Sequence, residues 1–212
     1  MRRGLLVLAM FGLILIGSGV NAQRVVAECA VDYRVQPDSG WNERGTETAV
    51  FSGNKKVFIK GNDLRVDMES PGFLQSFIYD KSNQQAVVLR EIGTNKFITR
   101  LAGNDWQQEL KKYDSIQVTF LNAFKTIIGY DCKSLQMKLK DGSEYLVYYT
   151  TTIAPSVREF ELAFKDVPGF VLQYTVRQNK HTVTYTASRI SFSPVPASRF
   201  DIPTSGYRIL EK

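Results

Sequence analysis

Histidine occurs once and cysteine twice in this 212-residue chain, and those scarcities remove most of the common catalytic and metal-binding chemistries. His181 stands beside an Asn179-Lys180 turn, with neither a serine in a nucleophile-elbow context nor a Cys/His partner near it, so it reads as a surface turn residue rather than a base. One histidine and two distant cysteines do not complete the four-ligand set of a zinc site. There is no Cys-x-x-Cys redox pair and no Asp-x-Asp-x-Asp-Gly calcium loop. A glycine-rich phosphate loop is missing too: Gly40 and Gly45 flank Trp41 in what reads as a long hairpin loop. Glu43, Glu47, Asp80, Glu91, Glu144 and Asp166 are available carboxylates, yet no spacing singles out two of them for glycoside hydrolysis. The chain reads as a protein that is not an enzyme and needs no cofactor.

Charge of one sign is not concentrated anywhere. The 27 Lys and Arg against 21 Asp and Glu give +6, and Lys55, Lys56, Lys60, Arg65, Lys111, Lys112, Lys133, Lys138 and Lys140 are interleaved with acids. Such spacing describes a solvated surface, not a nucleic-acid tract. No Pro/Gly/Ser-rich linker interrupts the chain after its first residues, so residues 23–212 are expected to form a single domain. The one long apolar run, Leu5 to Ile16, follows Arg2 and Arg3 and precedes Gly17-Ser18-Gly19 and Val20-Asn21-Ala22. A charged start, a short apolar stretch and small residues predict a signal peptide over 1–22 with cleavage near Ala22. The run is short for a membrane span, so the mature chain is expected to carry none and to reside in the periplasm or outside the cell. Cys29 follows Val26-Ala27-Glu28, which is not a lipid-attachment context. In an oxidising compartment Cys29 and Cys132 are candidates for a disulfide, which would contribute roughly 4 to 5 kcal/mol by the chain-entropy model. Two unpaired thiols buried as small apolar groups are the open alternative.

What the chain does have is alternation with a period of two. Leu64, Val66 and Met68 oppose Arg65 and Asp67, and Phe73, Phe77 and Tyr79 share a face. Gly61-Asn62, Ser70-Pro71-Gly72, Lys81-Ser82-Asn83, Gly93-Thr94-Asn95, Asp141-Gly142 and Asn179-Lys180 separate the runs, which predicts a meander of antiparallel hairpins. In the last long run Val183, Tyr185 and Ala187 are odd while Ile190 and Phe192 are even, so a bulge is expected near Ser188 or Arg189. Two segments read as short helices. Asn104 with Gln107 caps a stripe of Trp106, Leu110 and Tyr113, and Ser156 with Glu159 caps a stripe of Val157, Phe160, Phe164 and Val167 that Pro168-Gly169 ends. A meander that curls without closing has an apolar concave face, which short helices would cover. Pattern alone leaves open whether the space beneath is filled or hollow.

Several motifs carry a resemblance. Lys60-Gly61-Asn62-Asp63-Leu64-Arg65-Val66-Asp67 is followed by Ile78-Tyr79-Asp80, then by Ile128-Gly129-Tyr130-Asp131-Cys132-Lys133 and Tyr148-Tyr149-Thr150. Val167-Pro168-Gly169-Phe170-Val171-Leu172 and Phe200-Asp201-Ile202-Pro203 with Gly206-Tyr207 complete the order. From about residue 57 onward the chain resembles exported bacterial proteins of the LolA-like superfamily, close to uncharacterised families with Leu-Pro-Gly-Leu-Ile motifs. The resemblance implies a mainly β fold: an open, curved antiparallel half-barrel with two or more short helices over its concave face and an apolar cavity between. On that basis the chain is expected to carry a lipid, acyl chain or other apolar ligand between the sheet and helices at 104–113 and 156–166. Phe77, Tyr79, Phe97, Trp106, Leu110, Phe160, Phe164, Phe170 and Tyr174 are the expected lining, and a charge at Phe164 should abolish binding without unfolding the protein. The alternative is an envelope scaffold without a cavity that binds another protein through exposed strand edges or the Trp41 loop.

Overall fold

Alternation becomes a sheet. The computed structural model describes residues 23–38, 53–178 and 181–210; the expected signal peptide, the Trp41 loop, the Asn179-Lys180 turn and the side chain of His181 lie outside the described residues. Twelve strands form one sheet in the order β14 (Arg208–Ile209), β7 (Asn95–Leu101), β6 (Gln85–Ile92), β5 (Phe73–Asp80), β4 (Asp63–Ser70), β3 (Asn54–Lys60), β2 (Glu28–Pro37), β13 (His181–Ser191), β12 (Phe170–Gln178), β10 (Glu144–Thr150), β9 (Tyr130–Lys138), β8 (Gln117–Ile127). A parallel pair, β1 (Arg24–Val26) with β11 (Ile153–Pro155), stands apart. Neighbours from β7 to β8 are antiparallel, and β14 and β8 do not pair with each other, so the sheet is open. The register of β13 on β2 shifts between Ala187 and Arg189, where the change of phase places a bulge.

One helix, α1 (Gly103–Lys111), is present among the described residues, not two. Its start is set by the backbone: Gly103 has φ 53, which turns the chain off β7, and no side chain caps the helix, Asn104 included. The expected second helix is instead an irregular segment over 156–167 with one 3-10 turn, Leu162–Phe164. Its capping groups are spent elsewhere. Ser156 Oγ donates to the Gly61 carbonyl at 2.7 Å, and Glu159 accepts from the Arg158 amide at 2.8 Å and pairs with Lys81 at 3.3 Å. Tertiary partners outcompete a local capping box that would have steadied barely three turns. The segment still buries Val157, Phe160, Phe164 and Val167 on the sheet. Gly169 then brings β12 so close to β10 that a Cβ there would sit 2.1 Å from the Thr150 carbonyl oxygen.

The sheet curls around this segment. β5 and β10 are six strands apart in the sheet, about 29 Å if flat. Yet Glu159 reaches Lys81 at the end of β5 while Phe164 packs edge-on to Tyr145 of β10, and the five residue steps from Glu159 to Phe164 span at most about 18 Å. The inner face carries Val57, Ile59, Leu64, Val66, Tyr79, Tyr174 and Tyr185 in one core with Trp106, Phe160 and Phe164. Cys29 and Cys132 are both buried and both free, so the candidate disulfide is not formed. Burial pushes the Cys29 thiol up to about 12 and the Cys132 thiol up to about 11, the Asp131 carboxylate adding to the latter, so both behave as small apolar groups.

The outer face is also covered on one side. Ile78, Val87, Leu89 and Ile98 form a second, smaller core closed by Tyr207 of the C-terminal segment. Arg65 binds the segment further along, donating to the Arg199 carbonyl at 2.9 Å while pairing with Asp67 at 2.7 Å. Lys96 first, at 2.8 Å, and then the Tyr207 hydroxyl hold the Glu91 carboxyl below the usual range. Burial, with Glu91 beside it, pushes Tyr207 up to about 12. A carboxylate with a lowered pKa contributes fully above its ordinary value of about 4.3 and loses that contribution as pH falls through the lowered one. Limited proteolysis is therefore expected to release the C-terminal segment faster below about pH 4, and Glu91→Gln should give the same release at neutral pH. Equal cleavage rates at pH 7 in the two proteins would remove Glu91 from the docking.

Candidate functional site: a cleft with a buried ion pair

Between the inner face of β4–β7, α1 and residues 159–162 lies a cleft of about 620 Å³. Alternation explains its floor: Val66 and Met68 of β4, Phe77 of β5, Val88 of β6 and Thr99 and Leu101 of β7 all point inward. Trp106 is the one buried residue of α1, and its indole lies 4.9 Å from the Tyr79 ring and 6.2 Å from that of Phe77. Phe160 and Leu162 close the far wall, and Leu210 enters from the C-terminal segment, whose amide bonds the Ile98 carbonyl at 2.9 Å.

The expected lining divides accordingly. Phe77, Trp106 and Phe160 line the cleft. Tyr79 lies behind Trp106, Leu110 packs half-buried on the core, and Phe97 sits half-buried, cross-strand from Arg90 and outside the cleft. Phe164, Phe170 and Tyr174 are core residues, at most 1 % exposed. Phe164 is wedged edge-on among Tyr145, Phe160 and Tyr174, so a charge there would break the core rather than test a ligand.

At the cleft's inner end lies a feature that the reading of the basic residues as solvated misses. Lys55 is 1 % exposed. Its ammonium bonds Glu161 and the Tyr174 hydroxyl, the latter at 2.7 Å, and Tyr174 donates onward to Glu161 at 2.8 Å. The rings of Tyr174, Tyr185 and Phe160 surround it with centroids 5.2, 5.5 and 5.8 Å away. Burial, reinforced by Glu161, raises the pKa of Tyr174 and Tyr185, so both hydroxyls stay neutral. The signal was available: in Asn54-Lys55-Lys56-Val57-Phe58-Ile59, Lys55 shares its face with Val57 and Ile59.

Three carboxylates that no sequence spacing picked out also line the cleft, and each is held by a lysine. Glu161 pairs with Lys55, Glu159 with Lys81, and Glu109 with Lys112 at 2.7 Å. Burial, then Glu161 and Glu109, pushes Tyr113 at the rim up to about 12. Among the described residues no group of His, Cys, Asp and Glu is placed to hold a metal ion, and no helix is long and apolar enough to cross a membrane.

No family model matches the chain, and no curated protein matches it. Solved structures do. One crystal form of PNGF-II aligns with a TM-score of 0.52 at 11 % identity, over 88 % of this chain and 32 % of that one. A second form gives 0.49 at 12 % identity, over 87 % and 31 %. The Mycobacterium tuberculosis lipoprotein LppX gives 0.35 at 10 % identity, over 79 % and 88 %. The chain thus spans about a third of PNGF-II, and the first of these likenesses is one of fold alone.

Proposed function

We propose that this is an exported, non-catalytic carrier of the LolA-like kind that shelters an acyl chain or other apolar ligand in the cleft. The observation that carries the reading is the space itself: about 620 Å³ lined by Val66, Met68, Phe77, Val88, Leu101, Trp106 and Phe160, within the usual size of ligand sites. Each methylene taken from water onto these side chains contributes about 0.8 kcal/mol.

Val88 lies mid-floor, cross-strand from Phe77 and Thr99, and is only half-buried. Val88→Trp should fill the cleft and weaken binding of a fluorescent fatty acid at least ten-fold, with far-UV circular dichroism unchanged. Native mass spectrometry of the unmutated protein, purified without detergent, should find a co-purifying lipid. An apo mass together with no fatty-acid binding would sink the carrier.

A second reading, an envelope scaffold, is favoured by β8. This edge strand of 11 residues exposes Phe120 (65 %) and Phe124 (70 %) beside a backbone edge that pairs with no other strand among the described residues. Recovery of one stoichiometric envelope protein, lost on Phe120→Lys, would support it.

A further inference from the structure

Three cationic side chains line the cleft, and they are not equivalent. Lys55 is neutralised by Glu161 and Lys112 by Glu109. Arg90 of β6 has no carboxylate partner among the described residues: its Nε donates to Gln75 Oε1 at 2.9 Å, a neutral acceptor on the neighbouring strand. That contact fixes the guanidinium plane against the sheet. It leaves the other donors of the fork without a partner among the described residues, at the exposed end of a floor that continues through Val88 and Phe77.

Glu159, the remaining carboxylate on the lining, is taken by Lys81. The lining therefore pairs off its charges and keeps one positive fork where the apolar floor meets solvent. Low-dielectric walls strengthen the pull of such a charge on an anion, and a guanidinium fork matches carboxylate and phosphate oxygens two at a time.

Resting on the carrier reading, we infer that the ligand is an anionic amphiphile. Its chain lies along Val88, Phe77 and Trp106, and its carboxylate or phosphate head is held by the Arg90 fork. The volume suits one chain rather than several.

The test uses four sixteen-carbon probes below their micelle or solubility limits: hexadecanoate, hexadecyl phosphate, hexadecanol and hexadecyltrimethylammonium. Each displaces a neutral fluorescent naphthylamine from the full chain. Charge-assisted bonding to the fork predicts that an anion binds about ten-fold more tightly than the alcohol, with the cation weakest. Arg90→Gln should bring the anions down to the affinity of the alcohol while leaving the alcohol unchanged, and Arg90→Lys should keep part of the gap. An advantage for both anions assigns the head to any small oxyanion, and one confined to hexadecyl phosphate assigns it to a phosphate monoester. Hexadecanol binding as tightly as the anions, or a gap that survives Arg90→Gln, overturns the inference while the carrier stands. If no probe binds, the alcohol included, the carrier reading falls and takes the head-group assignment with it.

Discussion

Replacing Glu161 with Gln is expected to lower the unfolding free energy by about 3 kcal/mol, and by more than replacing its partner Lys55 with Met. The asymmetry follows from burial. Glu161 keeps 30 % of its side chain in contact with solvent, whereas Lys55 keeps 1 %. Removing the negative charge leaves an ammonium inside three aromatic rings with no counter-ion, only the neutral acceptors of Gln and the Tyr174 hydroxyl. Removing the ammonium strands a carboxylate that water can reach, and Met fills much the same volume among Phe160, Tyr174 and Tyr185. Urea unfolding of the two variants decides it. A Lys55→Met loss equal to or larger than that of Glu161→Gln would mean that Lys55 contributes mainly through its contacts with the rings.

Trp106→Ala should have a larger effect still, about 3 to 5 kcal/mol, and its loss should be local before it is global. Trp106 is the only buried residue of the nine in α1, and a helix that short does not persist alone in water. Without the indole packed against Phe77 and Tyr79, α1 has little holding it to β5, and the cleft loses one wall. Hydrogen exchange should show the amides of α1 unprotected while β2, β3 and β4 keep native rates. Protection of α1 unchanged in the variant would mean that Leu110 and Tyr113, which pack half-buried on the core, are sufficient to hold it.

Period-two alternation was a sound guide where each strand buries one face, as in β4 with Leu64 and Val66 or at the phase change near Arg189. It was less informative where both faces are covered. Ile78, Val87, Leu89 and Ile98 face outward and are nonetheless buried, because Tyr207, more than a hundred residues along, lies over them; no local window contains that contact. The helix at Trp106 was legible because it buries a single side chain and its backbone is otherwise free to follow its own preference. The segment at Ser156 carried an equally good capping pattern and did not become a helix, since Gly61 and Lys81 claim the groups that would have capped it. For the cleft, residue type predicted Phe77, Trp106 and Phe160 but not which aromatics the core would consume. Lys55 was hidden by its type, and its strand phase alone would have exposed it.

The position of β2 in the sheet has a consequence for how the molecule is made. Among the described strands of this sheet it comes earliest in the sequence, and it ends in the middle of the sheet, with β3 on one edge and β13 on the other. The β3 edge can be satisfied at once by residues that follow closely. The other waits: the Ser188 hydroxyl that bonds the Asp32 carbonyl is 156 residues downstream. Each half of the sheet can zip up from local hairpins, but joining them is a single long-range event at a seam whose two strands lie far apart in the sequence. Folding should be slow for a chain of this size and limited by closure of that seam, and until it closes β2 offers an open edge to any neighbouring chain.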